Sequence, residues 1–264
     1  MPEIRANSIS MHYEIAGHPD APVVMLSNSL GTRLEMWDPQ IPMLDERYRV
    51  LRYDTRGHGR TEAPEGPYTI KLLADDARAL LDALQLERVH FCGLSMGGMI
   101  GQALGARHGE RLISLTLCAT ACHMPGRDLW EERIRTALRG GMRQLVDGVV
   151  ERWFTAAFRA EPHAEVERVR EMILATSPQG YAACCAAIRD MDQCEEIRKI
   201  EVPTLIVVGD QDPATPPERA EALHERIRGS ELKVIPAAAH LVNIEQASAF
   251  NHALEAFLGR AARK

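Results

Sequence analysis

Short apolar runs alternate with amphipathic stretches along most of this chain, and that alternation narrows its possible folds more than any other feature. The runs are 23–27 (VVMLS), 49–53 (RVLRY), 88–92 (RVHFC), 112–118 (LISLTLC), 203–208 (PTLIVV) and 232–236 (LKVIP). Each is rich in Val, Ile or Leu with little alternation, the pattern of strands buried on both faces. Between them, 71–85 sets Leu72, Leu73, Leu80, Leu81 and Leu84 near one helical face, and 96–108, 217–227 and 246–258 read as further helices. Strands alternating with helices predict the α/β class, a mostly parallel central sheet flanked by helices on both faces. Residues 2–16 alternate instead and predict a hairpin.

The rhythm breaks over 123–190, which has no strand-like run. Helices are expected over 128–139, 141–159, 163–176 and 178–190, interrupted near Pro125, Pro162 and Pro178. The simplest reading is a helical cap, 123–190, inserted into a core made of 1–122 and 191–264. With 264 residues, the chain is long enough to bury a large core.

The formal charge of −6 gives no sign of a nucleic-acid or anionic-membrane partner. No apolar stretch approaches the ~20 residues of a membrane helix, and the N-terminus lacks the basic-then-apolar pattern of a secretory signal. A cytoplasmic protein is therefore expected. The six cysteines fit that reading: Cys92 and Cys118 lie in strand-like runs, Cys184 and Cys185 are adjacent, and Cys122 and Cys194 stand alone. Their spacing suggests neither a disulfide framework nor a zinc site, so buried free thiols are expected.

The chemistry is carried by Gly93-Leu94-Ser95-Met96-Gly97. A lone G-x-S-x-G is weak, but here it directly follows an apolar run and opens a helical stretch, the strand–turn–helix setting of a nucleophile elbow. Gly93 and Gly97 are needed where side chains would strike neighbouring backbone. A serine hydroxyl needs a base, and the base an orienting acid, in the chain order Ser, Asp, His. His240 lies in PAAAHLVNIEQ, just after the last strand, where open α/β sheets place their sites. Asp212 follows the strand TLIVV within GDQDP; Asp210 reads as a turn residue there. The expected triad is Ser95, Asp212 and His240. Backbone N–H groups of Met96 and Leu30, in the loop Asn28-Ser29-Leu30-Gly31, are expected to form the oxyanion hole. His58 reads as a turn residue near the site rim and His123 as a possible pocket residue.

The segments GLSMGG, NSLG, DTRGHGRT, GDQDPATP and AAAHLVNIEQ together resemble the α/β-hydrolase superfamily over nearly the whole chain. More narrowly, LSNSLGTRLEMWDPQIP, YDTRGHGRTEAP and CATACHMPG look like 3-oxoadipate enol-lactonases of bacterial aromatic catabolism, including Asn28-Ser29 where most hydrolases read His-Gly. The resemblance implies hydrolysis of 3-oxoadipate enol-lactone to 3-oxoadipate, in the protocatechuate branch, without cofactor or metal. Its small anionic substrate keeps a carboxylate that needs a cation, best a bidentate Arg. Among the cap arginines, Arg133 on the first cap helix is the expected partner, with Trp130 and Trp153 lining the pocket.

Other serine hydrolases share the triad: a carboxylesterase, a carbon–carbon bond hydrolase of ring-fission products, or a cofactor-free perhydrolase. A non-catalytic ligand-binding protein is the reading from another class. Ser95 at the elbow argues against dehalogenases and epoxide hydrolases, which would use Asp there. The sequence leaves the oligomeric state open.

Overall fold

The computed structural model describes residues 2–261. Eight strands form one sheet: β1 (Glu3–Ala6), β2 (Ile9–Ala16), β3 (Val23–Ser27), β4 (Arg49–Tyr53), β5 (Val89–Leu94), β6 (Leu112–Cys118), β7 (Thr204–Gly209) and β8 (Glu231–Ile235). Their spatial order is β1-β2-β4-β3-β5-β6-β7-β8. The β1–β2 hairpin and the β2–β4 pairing are antiparallel, and every other neighbour is parallel. The expected α/β architecture and its N-terminal hairpin are both present.

Helices α1 (Ile41–Leu44), α2 (Ile70–Ala83) and α3 (Met96–Arg107) occupy the first half. Helices α4 (Arg127–Gly140), α5 (Val146–Trp153), α6 (Ala156–Ala160), α7 (Ala164–Ala175) and α8 (Pro178–Arg189) follow β6. Helices α9 (Pro217–Arg226), α10 (Val242–Glu245) and α11 (Ala247–Ala261) complete the chain. Local chemistry explains several boundaries. Thr69 caps α2 by accepting the Leu72 N–H. Leu73, Ala77, Leu80 and Leu81 recur at helical spacing and are buried.

The sequence pattern erred in three places. β8 is an edge strand, not buried on both faces, and Val234 is 41% exposed. Residues 34–44 form a 3-10 turn running into α1, which apolar periodicity did not reveal. The expected helix 141–159 is broken into a 3-10 turn, α5 and α6: Gly141, at φ +67°, ends α4 before the 3-10 turn, and extended Phe154 ends α5. Among the described residues, no helix is long and apolar enough to cross a membrane.

The cysteines also need correction. Cys92, Cys118, Cys184 and Cys185 are buried free thiols, but Cys122 and Cys194 form a disulfide. It joins the chain just before α4 to the chain just after α8, beside the His123–Asp192 β-bridge. Seventy-two residues separate the two cysteines, so no local spacing announces the pair.

Candidate active site

At the β5–α3 turn the chain reverses so sharply that Ser95 takes φ 56°, ψ −113°, a costly conformation for a residue with a side chain. Glycines make the turn possible. A Cβ on Gly93 would lie 2.1 Å from the Gly97 carbonyl oxygen, and one on Gly97 would lie 2.1 Å from that of Ser27. The strained residue is held by its own backbone. Its N–H donates to the Cys118 carbonyl at 2.8 Å, and its carbonyl accepts from Thr120 Oγ1 at 2.8 Å.

Asp212 sits in the loop after β7, and its carboxylate is almost fully used. Oδ1 accepts from the N–H groups of Ala214 (2.7 Å) and Thr215 (3.0 Å); Oδ2 accepts from Thr215 Oγ1 (2.7 Å) and His240 Nδ1 (2.8 Å). Burial pushes its pKa up, but the charge and hydrogen bond of His240, with the Thr215 donors, outweigh burial and leave it below its ordinary value. The carboxylate therefore stays ionised and fixes His240 with its proton on Nδ1, leaving Nε2 free to take another. Asp210, by contrast, is exposed and, among the described residues, accepts the Ala238 N–H at 3.3 Å.

Ser95, His240, Leu30, Trp130, Arg133 and Trp153 all line one cavity of about 680 Å³ between the strand ends and helices α4, α5 and α8. Met96 is the residue after the serine. Among the described residues, neither the Leu30 nor the Met96 N–H has an acceptor. Two free donors beside a serine can receive a negatively charged oxygen.

The loop carrying Leu30 is fastened on both sides. The Gly31 N–H donates to His58 Nε2 at 2.8 Å, and the Gly31 carbonyl accepts from Thr176 Oγ1, between α7 and α8, at 3.1 Å. His58 is thus a buried support under the loop rather than a rim residue. Burial pushes its pKa down to about 4, so it stays neutral and its other nitrogen donates to the Arg56 carbonyl. Asn28 turns away from the cavity and donates to the Tyr53 carbonyl at 2.9 Å, whereas Ser29 lines it. His123 is exposed and does not line it.

The cap arginines divide by partner. Arg127 pairs with Asp190, Arg135 with Glu132, and Arg159 donates to the Phe154 carbonyl. Arg133 has no carboxylate partner among the described residues; its guanidinium lies 5.2 Å from the Trp130 ring centroid. Arg152 also lines the cavity without a carboxylate partner, and burial, then the neighbouring charge of Arg133, lowers its pKa. Sequence reasoning singled out Arg133 and passed over Arg152, because only packing shows which guanidiniums lack an acid. The one acid lining the cavity beside them among the described residues, Glu132, is engaged by Arg135, so two like charges in one wall favour an anionic ligand. Among the described residues, no cluster of His, Cys, Asp or Glu could hold a metal ion.

Comparison with known proteins adds a second line. Residues 17–253 match the family model described as the alpha/beta hydrolase family. The chain is 38% identical to 3-oxoadipate enol-lactonase 2 of Acinetobacter baylyi, over 97% of this chain and 96% of that protein. It resembles the enol-lactonase crystal structure from Burkholderia xenovorans LB400 with a TM-score of 0.96 and 42% identity, covering 98% and 100% of the two chains. A thermophilic esterase from Thermogutta terrifontis, with malate bound, is also similar: TM-score 0.91, 29% identity and 98% coverage of both chains. With this fold, this site geometry and a family match over most of its length, the chain belongs to the alpha/beta hydrolase family.

Proposed function

We propose that this hydrolase opens a small carboxylated enol-lactone, 3-oxoadipate enol-lactone, to give 3-oxoadipate in the protocatechuate branch of aromatic catabolism. The observation that carries the reading is the pair of unpartnered guanidiniums, Arg133 and Arg152, facing the cavity that holds Ser95 and His240. A neutral ester has no use for them. A substrate with a spectator carboxylate needs such cations, because burying an unpaired carboxylate is expensive. The name of the Acinetobacter relative supports the same substrate, and that of the Burkholderia structure supports an enol-lactone.

In this reading Ser95 Oγ attacks the lactone carbonyl carbon while His240 Nε2 takes its proton. The new tetrahedral oxyanion is held by the Leu30 and Met96 N–H groups. Collapse breaks the ring C–O bond. The departing oxygen is enolic, a better leaving group than an alkoxide, and receives the proton from His240. The acyl group is now on Ser95. His240 next takes a proton from water, the water oxygen attacks the acyl carbon, and Ser95 leaves with the proton returned. The released enol becomes the ketone. Asp212 stays ionised throughout and stabilises the imidazolium. Trp130 and Trp153 form the apolar walls.

The proposed setting is the cytoplasm, where most thiols are kept reduced; Cys122 and Cys194 would form a reducible pair there. The test is ultraviolet loss of the enol-lactone with purified protein beside a neutral short-chain ester. A kcat/KM for the lactone within about 10⁴–10⁸ M⁻¹s⁻¹, far above the ester, is expected of a dedicated enzyme. An ester turned over as well as the lactone would overturn the substrate and leave a general esterase.

A further inference from the structure

We propose that Glu245 is the positioning residue of His240, fastening the loop that carries the base to the cap segment Trp153–Thr155. The inference rests on the reading of His240 as the base.

Glu245 ends α10 and is 7% exposed. Its Oε2 accepts the Ala239 N–H at 2.7 Å. Its Oε1 accepts from the Thr155 N–H at 3.0 Å and from Thr155 Oγ1 at 2.5 Å. On the other side of His240, the Leu241 N–H donates to the Trp153 carbonyl at 3.1 Å. The amides immediately before and after His240 are thus both tied to one strip of the cap, the first through Glu245 and the second directly. The Trp153 indole, from the same strip, lies 5.8 Å from the His240 ring, tilted by 33°.

The arrangement is costly unless it has a purpose. A buried carboxylate without a cation is expensive, and Glu245 has no basic partner among the described residues. Three donors are what make it tolerable. The loop has a reason to need outside support. Asp212 is fixed by N–H groups of its own loop, two and three residues on. Residues 237–240 carry no regular structure, and Ala237 adopts φ 54°. Ala237 and Ala238 are held by Gln246 and by the Asp210–Gln211 turn, whereas the amides flanking His240 itself are held by Glu245 and the cap. Because Trp153 also walls the cavity, the same strip sets the base and shapes the substrate pocket.

The test uses steady-state kinetics on the lactone and on 4-nitrophenyl acetate, with thermal unfolding alongside. Glu245→Gln keeps the size but presents an amide N–H₂ to one of two N–H donors. Misplacing a catalytic group costs about 10–100-fold, so kcat should fall by that order on both substrates, with KM within about twofold. Thr155→Val, which keeps the arm to Ala239, should lower kcat about threefold to tenfold, and Thr155→Ser should restore it. The double variant Glu245→Gln/Thr155→Val should lose far less than the sum of the two, since both weaken the Glu245–Thr155 connection and the Thr155 cap on the Phe158 N–H adds only its own small loss. Wild-type kcat in Glu245→Gln, or fully additive losses in the double variant, would overturn the proposal. If Glu245→Gln fails to fold, Thr155→Val decides: lower kcat at constant KM supports the latch, and unchanged kcat removes it. A wild-type protein inert toward both substrates would instead remove the hydrolase reading, and this inference with it.

Discussion

Two buried histidine–aspartate pairs in this molecule look alike and do different work. His240 Nδ1 lies 2.8 Å from Asp212, and His12 Nδ1 lies 2.8 Å from Asp54. All four residues are 3% exposed or less. The second pair has the contacts of a structural knot. Asp54 also accepts the N–H groups of Leu34 (2.9 Å) and Arg60 (3.0 Å), and the His12 N–H donates to Thr61. His12 Nε2 is enclosed without a partner among the described residues, away from the cavity. The first pair instead ends at a cavity beside a strained serine. The pairing holds a tautomer; what makes it useful is where the other ring nitrogen opens.

The largest expected effect at the cavity-side pair is from Ser95→Ala, which should cost about 10⁶-fold in kcat, since nucleophile and base act as a unit. Its unfolding midpoint should stay near wild type, and lactone hydrolysis with thermal melting checks both. Asp212→Asn should cost about 10⁴-fold in kcat by favouring the wrong tautomer. Asp54→Asn is the matched control. It should lose about 2–4 kcal/mol of stability by breaking a buried hydrogen-bonded network, with kcat per folded molecule nearly unchanged. Equal kinetic losses from the two Asn variants, read by urea melts beside kinetics, would erase the distinction.

Binding variants sharpen the cavity side further. Arg133→Leu should lower kcat/KM for the carboxylated lactone by about 10–100-fold, the worth of a charge-assisted hydrogen bond, and spare a neutral ester. Arg152→Leu should act in the same direction by about tenfold. Equal losses on lactone and ester would remove either residue from carboxylate binding.

The smallest effect concerns histidines buried without a carboxylate bonded to them. Burial pushes His58 and His90 down to about 4. The unfolded chain, with histidines near 6.5, then binds more protons between about pH 6.5 and 4. The stability from burying them neutral is full above that window and is lost as pH falls through it. His90→Gln should flatten the slope of unfolding free energy against pH there; an unchanged slope would show that His90 does not contribute.

How much was legible depends on how local each signal is. The elbow was readable because strand, Gly-x-Ser-x-Gly and helix are contiguous. Asp212 and His240 are legible as candidates because each follows a strand, and the structure brings them within 2.8 Å of each other. Arg152 was not singled out, because its lack of an acid partner is a property of packing. His58 was misplaced because nothing in DTRGHG says that its ring lies under residue 31.

Sequence alone determined the strand–helix alternation of the core, the tight turn at Ser95, and the loops that hold Asp212 and His240, since those follow from periodicity and near-neighbour sterics. Tertiary structure decided the Cys122–Cys194 link across 72 residues, the Thr176–Gly31 tie across 145 and the Glu245–Thr155 latch across 90. Their partners meet only when the sheet and cap pack together, and no spacing along the chain encodes that meeting.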